Sequence, residues 1–155
     1  MTQPKVTICM PVFNGGDYFR SALASAVAQD YPNVEILVVN DGSTDEDETE
    51  RIALTHGDRV RYIRQENRGV AGALNTALLH MTGDYFAWLS HDDLHLPHKT
   101  SAQVAYLGRL GLPAACLFSD YDLIGPQDEP LSTVRLPAAR ILQNPRLPLY
   151  NGMIN

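Results

Sequence analysis

The feature that most constrains the fold is a regular alternation of short apolar runs with longer segments of helical periodicity. Each run is rich in β-branched or aromatic side chains and stops at a cluster of polar residues and glycines. The runs lie at 6–12, 34–39, 60–63 and 85–89, and the helical segments that follow them lie at 17–29, 43–56, 70–80 and 97–110. The alternation predicts an α/β fold with a mostly parallel sheet covered by helices on both faces.

Finer expectations follow from local signals. Ser43 and Glu46 form a capping-box pattern that predicts a helix start at Ser43. A fifth strand is predicted at 115–124, ended by a Gly-Pro turn, and a short helix at 135–143. The apolar stripe predicted for the third helix is Ala71, Leu74, Leu78 and Met81.

Composition narrows the class of protein. The 155 residues correspond to one domain, 1–155, and the net charge of −6 argues against a nucleic-acid partner. An anionic substrate therefore has to be held locally, by a metal, an arginine or backbone N–H groups. Cys9 and Cys116 form no metal-binding pair and are expected to be reduced core residues, with a long-range disulfide as the less favoured alternative.

The chain carries no apolar run of membrane-spanning length and no signal-peptide pattern. We therefore expect it to be cytoplasmic, or to be the cytosolic portion of something larger that associates with a membrane through other regions or partners.

The segments that follow the strands are where ligands are expected, because ligands of open parallel sheets bind at the carboxyl ends of the strands. The pair Asp92-Asp93 follows the fourth run, and adjacent carboxylates repel unless a cation lies near them. A bound Mg²⁺ or Mn²⁺ ion would neutralise that repulsion, since both ions prefer oxygen ligands. The alternatives are a cap for the helix near Pro97 and, less favoured, a zinc site that uses nearby histidines.

The other strand ends carry weaker signals. Asp41 with Gly42 suits a contact to a ribose or a base, although Asp41 could equally cap the next helix. Arg68 and Gly69 precede a helix whose N-terminus could bind phosphate, although a plain surface loop is the alternative. The sequence has no glycine-rich dinucleotide fingerprint, no phosphate-binding P-loop and no nucleophile elbow.

Taken together, four segments in this order resemble the family 2 glycosyltransferases, which have the Rossmann-like GT-A fold. The segments are VTICMPVFN at 6–14, EILVVNDGSTD at 35–45, NRGVAGALN at 67–75 and GDYFAWLSHDD at 83–93. The resemblance covers roughly residues 5–125. It departs from the family at Asn40 and at His91, where many members have an acid.

The resemblance implies a role for each matching residue. Pro11, Phe13 and Asn14 would line the nucleotide pocket, and Asp41 would contact the base, usually uracil. The remaining matches would serve the diphosphate, the sugar and the metal. Arg68 and Gly69 would lie near the base or diphosphate, Asp92 would face the ribose or sugar, and Asp93, with Asp92, would hold Mn²⁺ or Mg²⁺ in a DXD-type motif.

The implied activity is transfer of a sugar, with inversion, from a nucleotide-sugar to an unknown saccharide or lipid-linked acceptor in glycan or polysaccharide biosynthesis. The donor would be a UDP-sugar and the enzyme of hexosyltransferase type. In this family the catalytic base lies C-terminal to the DXD region. None of the later acids is assigned that role, so the base is expected beyond Asn155, and the chain, as a C-terminally truncated donor-binding portion, is expected to be inactive alone.

Two alternatives stay open. The first is a non-catalytic module that binds a nucleotide-sugar but cannot transfer it, since the base is missing. The second, weaker alternative is a sugar nucleotidyltransferase. That class would need an arginine in the loop after the first strand, and residues 13–16 contain none.

Overall fold

The computed structural model describes residues 3–111 and 116–137. The chain divides into two compact units, Met1–Pro113 and Ala114–Asn155. The described part of the first unit alternates strands with helices. Its strands are β1 (Val6–Val12), β2 (Val34–Asn40), β3 (Val60–Arg64) and β4 (Tyr85–Trp88), and its helices are α1 (Gly16–Val27), α2 (Glu48–Leu54), α3 (Gly69–His80) and α4 (Lys99–Leu110), with a 3₁₀ turn at Gly57–Arg59.

The four strands form one parallel sheet in the order β3-β2-β1-β4. Val6 of β1 is in register with Val34 of β2 on one side and with Tyr85 of β4 on the other. The strand order reverses beside β1, because β2 and β3 follow on one side and β4 on the other. All four carboxyl ends therefore meet at one edge, with β1 at the switch point where ligands of such sheets bind.

Helices cover both faces of this sheet, as expected from the alternation. On one face Phe19 and Leu23 of α1 pack with Ile8 and Ile36, and α2 adds Ile52 to the same core. The opposite face holds a smaller core of β1, β2 and α3. Its buried members are Cys9, Leu37, Val39, Ala73 and Ala77. The alternating side chains of β1, which is fully buried, and of β2, which is buried except at Val34, thus build two cores.

The predicted start of the second helix at Ser43 is wrong. Helix α2 begins at Glu48, because Glu46 and Asp47 both have positive φ values of 52° and 63°, outside the helical region. The Ser43 hydroxyl instead accepts a hydrogen bond from the Asn14 amide, 2.9 Å away. Ser43 therefore accepts a backbone hydrogen bond, as a helix cap does, but from the loop after β1 and not from the start of α2.

The predicted apolar stripe of α3 is also largely wrong. Ala73 and Ala77 are buried against the sheet, Met81 packs at the edge of that core, and Leu78 is 50% exposed. Alanines let the helix approach β1 and β2 closely, whereas Leu78 and Leu79 lie on its outer side and Leu74 is half-buried.

The described part of the second unit is an antiparallel hairpin of β5 (Tyr121–Ile124) and β6 (Pro130–Val134). The fifth strand predicted at 115–124 is therefore shorter than expected, and residues 116–120 are not in a strand. Its partner follows after a tight turn, in which the Gly125 amide donates to the Glu129 carbonyl, so the two strands run antiparallel. The helix predicted at 135–143 lies outside the described residues from position 138 onward.

Two further sequence expectations meet the structure here. Cys9 is buried as predicted, whereas Cys116 is exposed and is not a core residue; both are free thiols. Among residues 3–111 and 116–137, no helix combines the length and the apolar character needed to cross a bilayer.

A buried carboxylate ties the amino ends of the strands together, away from the edge where ligands are expected. Glu35 of β2 accepts hydrogen bonds from the Thr7 hydroxyl at 2.6 Å and the Thr82 amide at 2.8 Å, and pairs with Arg61. Burial raises the pKa of Glu35, but these donors outweigh it and lower the pKa from 4.5 to about 2. The ionised carboxylate therefore stabilises the junction of β1, β2, β3 and the loop before β4.

We expect this network to shape the acid stability of the fold. Because the folded pKa lies below the unfolded value, the stabilisation by Glu35 is complete above pH 4.5 and is lost as pH falls toward 2. The ionised Glu35 contributes at most about 3 kcal/mol to the free energy of unfolding. Glu35→Gln should lower the free energy of unfolding at neutral pH and flatten its decline in acid, as measured by urea denaturation at a series of pH values. Glu66→Gln, at an exposed carboxylate, is the control; equal pH dependence in both variants would contradict the assignment.

Candidate donor-binding site at the carboxyl edge of the sheet

Asp41 is the most constrained side chain at the carboxyl edge. It follows β2, is 3% exposed, and its amide donates to the Val12 carbonyl of β1 at 2.8 Å. Its Oδ1 accepts two hydrogen bonds from the loop after β3: Gln65 Nε2 donates at 2.7 Å and the Arg68 amide at 2.9 Å. A carboxylate only accepts, so these donors fix its orientation and join three strand ends.

The loops after β2 and β3 lie in direct contact at Gly42. This residue has φ +76°, and a Cβ placed there would lie 2.8 Å from the Asn67 amide nitrogen. Both the backbone conformation and the close approach require glycine. The approach keeps Asp41 within reach of its donors on the other loop.

Asn14 joins the loop after β1 to the loop after β2. Its amide donates to Ser43 Oγ at 2.9 Å, and its Oδ1 accepts from the Thr44 amide at 2.8 Å. Asn14 has φ 52°, a region that asparagine tolerates better than most residues. The side chain of Asn14 thus ties two loops together, while the neighbouring Phe13 is 43% exposed.

Asn40 stands where many members of the resembled family carry an acid. Its contacts show why an amide side chain suits this position. Asn40 Oδ1 accepts from the Ser43 amide at 2.9 Å, and Nδ2 donates to the Tyr62 hydroxyl at 2.8 Å. The Tyr62 hydroxyl in turn donates to Glu50 at 3.3 Å. An asparagine can donate and accept at once, so it completes a chain of hydrogen bonds between β2, β3 and α2.

The other residues predicted for the nucleotide site lie at the same edge of the sheet. Pro11 is buried in β1, in register with Val39. Arg68 immediately precedes α3, and its side chain is exposed and lies against Gly72, where a Cβ would collide with the Arg68 Cβ. Gly69 opens the helix. Arg68 therefore contributes its backbone to Asp41 and leaves its guanidinium in solvent.

Asp92 and Asp93 lie in the exposed loop that follows β4, on the opposite side of β1. Ser90 Oγ donates to Asp92 Oδ1 at 2.6 Å, and the Asp93 amide donates to the Ser90 carbonyl at 3.3 Å. Burial raises the pKa of Asp93, as does the charge of Asp92, whereas His91 and Lys99 oppose the rise. The residue that caps α4 is His98, so neither carboxylate acts as the helix cap considered above.

The zinc alternative would use His91, His95 and His98, and one of these, His95, is occupied within the protein. His95 is buried, and its Nε2 lies 2.7 Å from Lys99 Nζ. Burial and the charge of Lys99 lower the pKa of His95 to about 3. His95 therefore anchors the loop after β4 to α4 and faces a cation.

Comparison with known proteins identifies the family. The sequence profile of glycosyl transferase family 2 matches residues 7–150. The chain belongs to glycosyl transferase family 2. A relative from Rickettsia felis described as a glycosyltransferase is 44% identical over 98% of the chain, and one from Rickettsia prowazekii is 46% identical over 85%. The chain spans about a quarter (26%) of the length of the former and 41% of the latter.

Solved structures agree on the GT-A fold. The mannosyltransferase PcManGT from Pyrobaculum calidifontis, in complex with GDP-Man and Mn²⁺, is 29% identical, with a TM-score of 0.62 over 83% of this chain and 38% of its own. TarS from S. aureus, in complex with UDP-GlcNAc, is 24% identical, with a TM-score of 0.63 over 68% of this chain and 31% of its own. The likeness to TarS supports the fold alone.

Within this glycosyltransferase fold the structure joins some candidate residues and leaves others apart. Hydrogen bonds link the loops of Asn14, Asp41 and Arg68 into one unit. In the described chain no hydrogen bond links Asp92 or Asp93 to that unit. Sequence reasoning missed Gln65 and Ser43 as partners within the site. Gln65 directly follows β3, and a polar side chain at a strand end is the signal that could have drawn attention to it.

We expect the contact between the two loops to make Gly42 intolerant of substitution. Gly57 offers a matched control, because it also has a positive φ, +55°, but a Cβ there would meet open space. Both Gly42→Ala and Gly57→Ala should incur the cost of a left-handed alanine, about 1 kcal/mol. Only Gly42→Ala should also force the loops apart, so its free energy of unfolding in urea should fall further. Equal losses in the two variants would show that the loops are not in tight contact.

Proposed function

We propose that this chain is the donor-binding part of a metal-dependent, inverting glycosyltransferase of hexosyltransferase type. The donor is a nucleotide-sugar, and a UDP-sugar is the favoured candidate. The acceptor is a saccharide or a lipid-linked acceptor in glycan or polysaccharide biosynthesis. One observation carries the proposal: a buried, hydrogen-bonded Asp41 lies on one side of the end of β1, and the exposed pair Asp92-Asp93 lies on the other. A nucleoside diphosphate laid across the end of β1 would meet both.

The two carboxylates after β4 fit a divalent metal ion. They are adjacent oxygen donors, and partial burial together with the charge of Asp92 raises the pKa of Asp93. Within residues 3–111 and 116–137 no group of three His, Cys, Asp or Glu side chains could hold a metal ion. Mg²⁺ and Mn²⁺ commonly use one or two carboxylates together with substrate phosphates, so Asp93 and Asp92 would hold the ion with the diphosphate of the donor. When bound, the ion would neutralise charge on the departing nucleoside diphosphate.

The opposite side of the site suits the nucleoside. Asp41 offers a hydrogen-bond acceptor whose orientation is fixed by two donors. Pro11, Phe13 and Asn14 lie at the end of β1 and in the loop after it, where they would line the nucleotide pocket. Because the chain has a net charge of −6, phosphate binding depends on local groups. The exposed guanidinium of Arg68 and the start of α3 at Gly69 supply such groups on this side.

The catalytic base is proposed to lie outside the described residues. Three of the four acids after Asp93 are engaged within the hairpin unit: Asp120 accepts from the Leu136 amide, Asp122 from the Thr133 hydroxyl and Glu129 from the Gln127 amide. The chain's own contribution to the reaction is therefore to bind and orient the donor. Deprotonation of the acceptor hydroxyl, on the opposite face of the sugar, requires a carboxylate from elsewhere.

Calorimetry with UDP tests the donor and metal assignments together. We expect Mn²⁺ to tighten UDP binding by about tenfold or more, since Asp93 and Asp92 would hold the ion, whose positive charge would attract the diphosphate. Asp93→Ala should remove this gain and leave the weaker, metal-independent binding in place. Asp58→Ala, at an exposed acid in the 3₁₀ turn, is the control and should keep the full effect of Mn²⁺.

Two results would count against the proposal. Absence of UDP binding at every Mn²⁺ concentration would exclude UDP as the nucleotide, and absence of GDP binding as well would exclude the donor site. Retention of the Mn²⁺ effect in Asp93→Ala would move the metal away from the loop after β4.

A further inference from the structure

Gln65 directly follows β3, and its side chain contacts Asp41 in the candidate site. Its backbone amide donates to the Asn40 carbonyl at 3.0 Å, which continues the pairing of β3 with β2 beyond the strand. Its side chain then reaches Asp41, where Nε2 lies 2.7 Å from Oδ1. The Gln65 side chain is thus held at its base by the sheet and at its tip by a carboxylate.

The chemistry of the two groups settles how the Gln65 amide is turned. A carboxylate has no proton to donate, so the nitrogen of the amide, rather than its oxygen, has to face Asp41. Gln65 Oε1 consequently points away, and it is buried without a hydrogen-bond partner among the described residues. A buried acceptor without a partner is costly, so the conformation of Gln65 is unfavourable for its oxygen. The hydrogen bond from Nε2 to Asp41 is the contact that offsets this cost.

The effect of this contact falls on the second oxygen of Asp41. Gln65 Nε2 and the Arg68 amide both donate to Oδ1, at 2.7 and 2.9 Å. Oδ2 has no partner in the described chain and is not sealed from solvent. Two donors on one oxygen leave the other as a free acceptor in a set direction.

We propose that Gln65 is a positioning residue that sets the nucleobase selectivity of the site, by holding Asp41 with Oδ2 turned toward the base. This inference rests on the proposed function, because it assumes that a nucleotide occupies the site. A fixed acceptor favours bases that carry an imino N–H, such as N3–H of uracil or N1–H of guanine. It disfavours cytosine and adenine, which present a bare ring nitrogen at the same place, and a site that binds an N–H discriminates strongly against an analogue lacking it.

Gln65→Met is the decisive variant, because methionine has a similar length and shape but no donor. Wild-type protein should bind UDP at least about tenfold more tightly than CDP in the presence of Mn²⁺, as one hydrogen bond to a charged group is lost. In Gln65→Met that ratio should fall to within about threefold, because Oδ1 of Asp41 keeps only the Arg68 amide as a donor and the carboxylate can rotate about that single contact. The Mn²⁺ dependence of UDP binding and the melting temperature should stay close to those of the wild type. GDP against ADP is the parallel pair of probes if the protein prefers purines.

Two further variants sharpen the comparison. Gln65→Glu keeps the shape but places a second carboxyl group against Asp41, and the repulsion between the two should displace Asp41 and lose selectivity as Gln65→Met does. Glu66→Gln, at the exposed neighbouring position, should retain full selectivity.

The outcomes separate the inference from the function on which it rests. A wild-type protein that binds none of the four nucleotides contradicts the proposed function. A wild-type protein that binds UDP and CDP equally, or a Gln65→Met variant that keeps the wild-type ratio, overturns the positioning role and leaves the donor site intact. Equal loss of UDP and CDP affinity with a lower melting temperature would assign Gln65 to packing, and would also overturn the proposal.

Discussion

The structure depends most on the way β2 ends. Its side chains are buried along nearly the whole strand, and the four residues Asn40-Asp41-Gly42-Ser43 then supply contacts to both neighbouring loops. Asp41 binds the loop after β3, and Ser43 binds the loop after β1. Parallel strands place their carboxyl ends side by side, but only side-chain and backbone hydrogen bonds of this kind turn adjacent loops into one surface.

Two buried carboxylates, one at the amino end of β2 and one directly after its carboxyl end, have different roles. At the amino end Glu35 is buried, ionised and satisfied by Thr7, Thr82 and Arg61, so it stabilises the fold without an accessible lone pair for a ligand. At the carboxyl end Asp41 is equally buried, yet only one of its oxygens is used by the protein. A buried carboxylate at one end of β2 is thus structural, because both of its oxygens are occupied, whereas the one that follows the other end keeps an oxygen that the protein does not use.

Sequence patterns predicted the α/β class, the four parallel strands and the strand-end positions of the candidate residues, because each depends on local periodicity and on turn residues. The start of α2 was missed because Glu46 and Asp47 adopt positive φ, which no simple propensity signals. The buried face of α3 was missed because close packing on the sheet selects Ala73 and Ala77 over the larger leucines. Gln65 was missed because its importance lies in a contact with Asp41, 24 residues away in the chain.

The two sides of the carboxyl edge differ in how far the protein organises them before a ligand arrives. Around Asp41, loops after three strands are joined by hydrogen bonds, so little ordering remains to oppose binding of the base. Around Asp93, two adjacent carboxylates repel each other, and among the described residues the one side-chain hydrogen bond to either carboxylate is from Ser90 to Asp92. A cation and a diphosphate would relieve that repulsion, so binding energy from the organised side can order the other. If the proposed nucleotide-sugar binds across both sides, this difference would allow selectivity for the base and dependence on the metal to be altered separately.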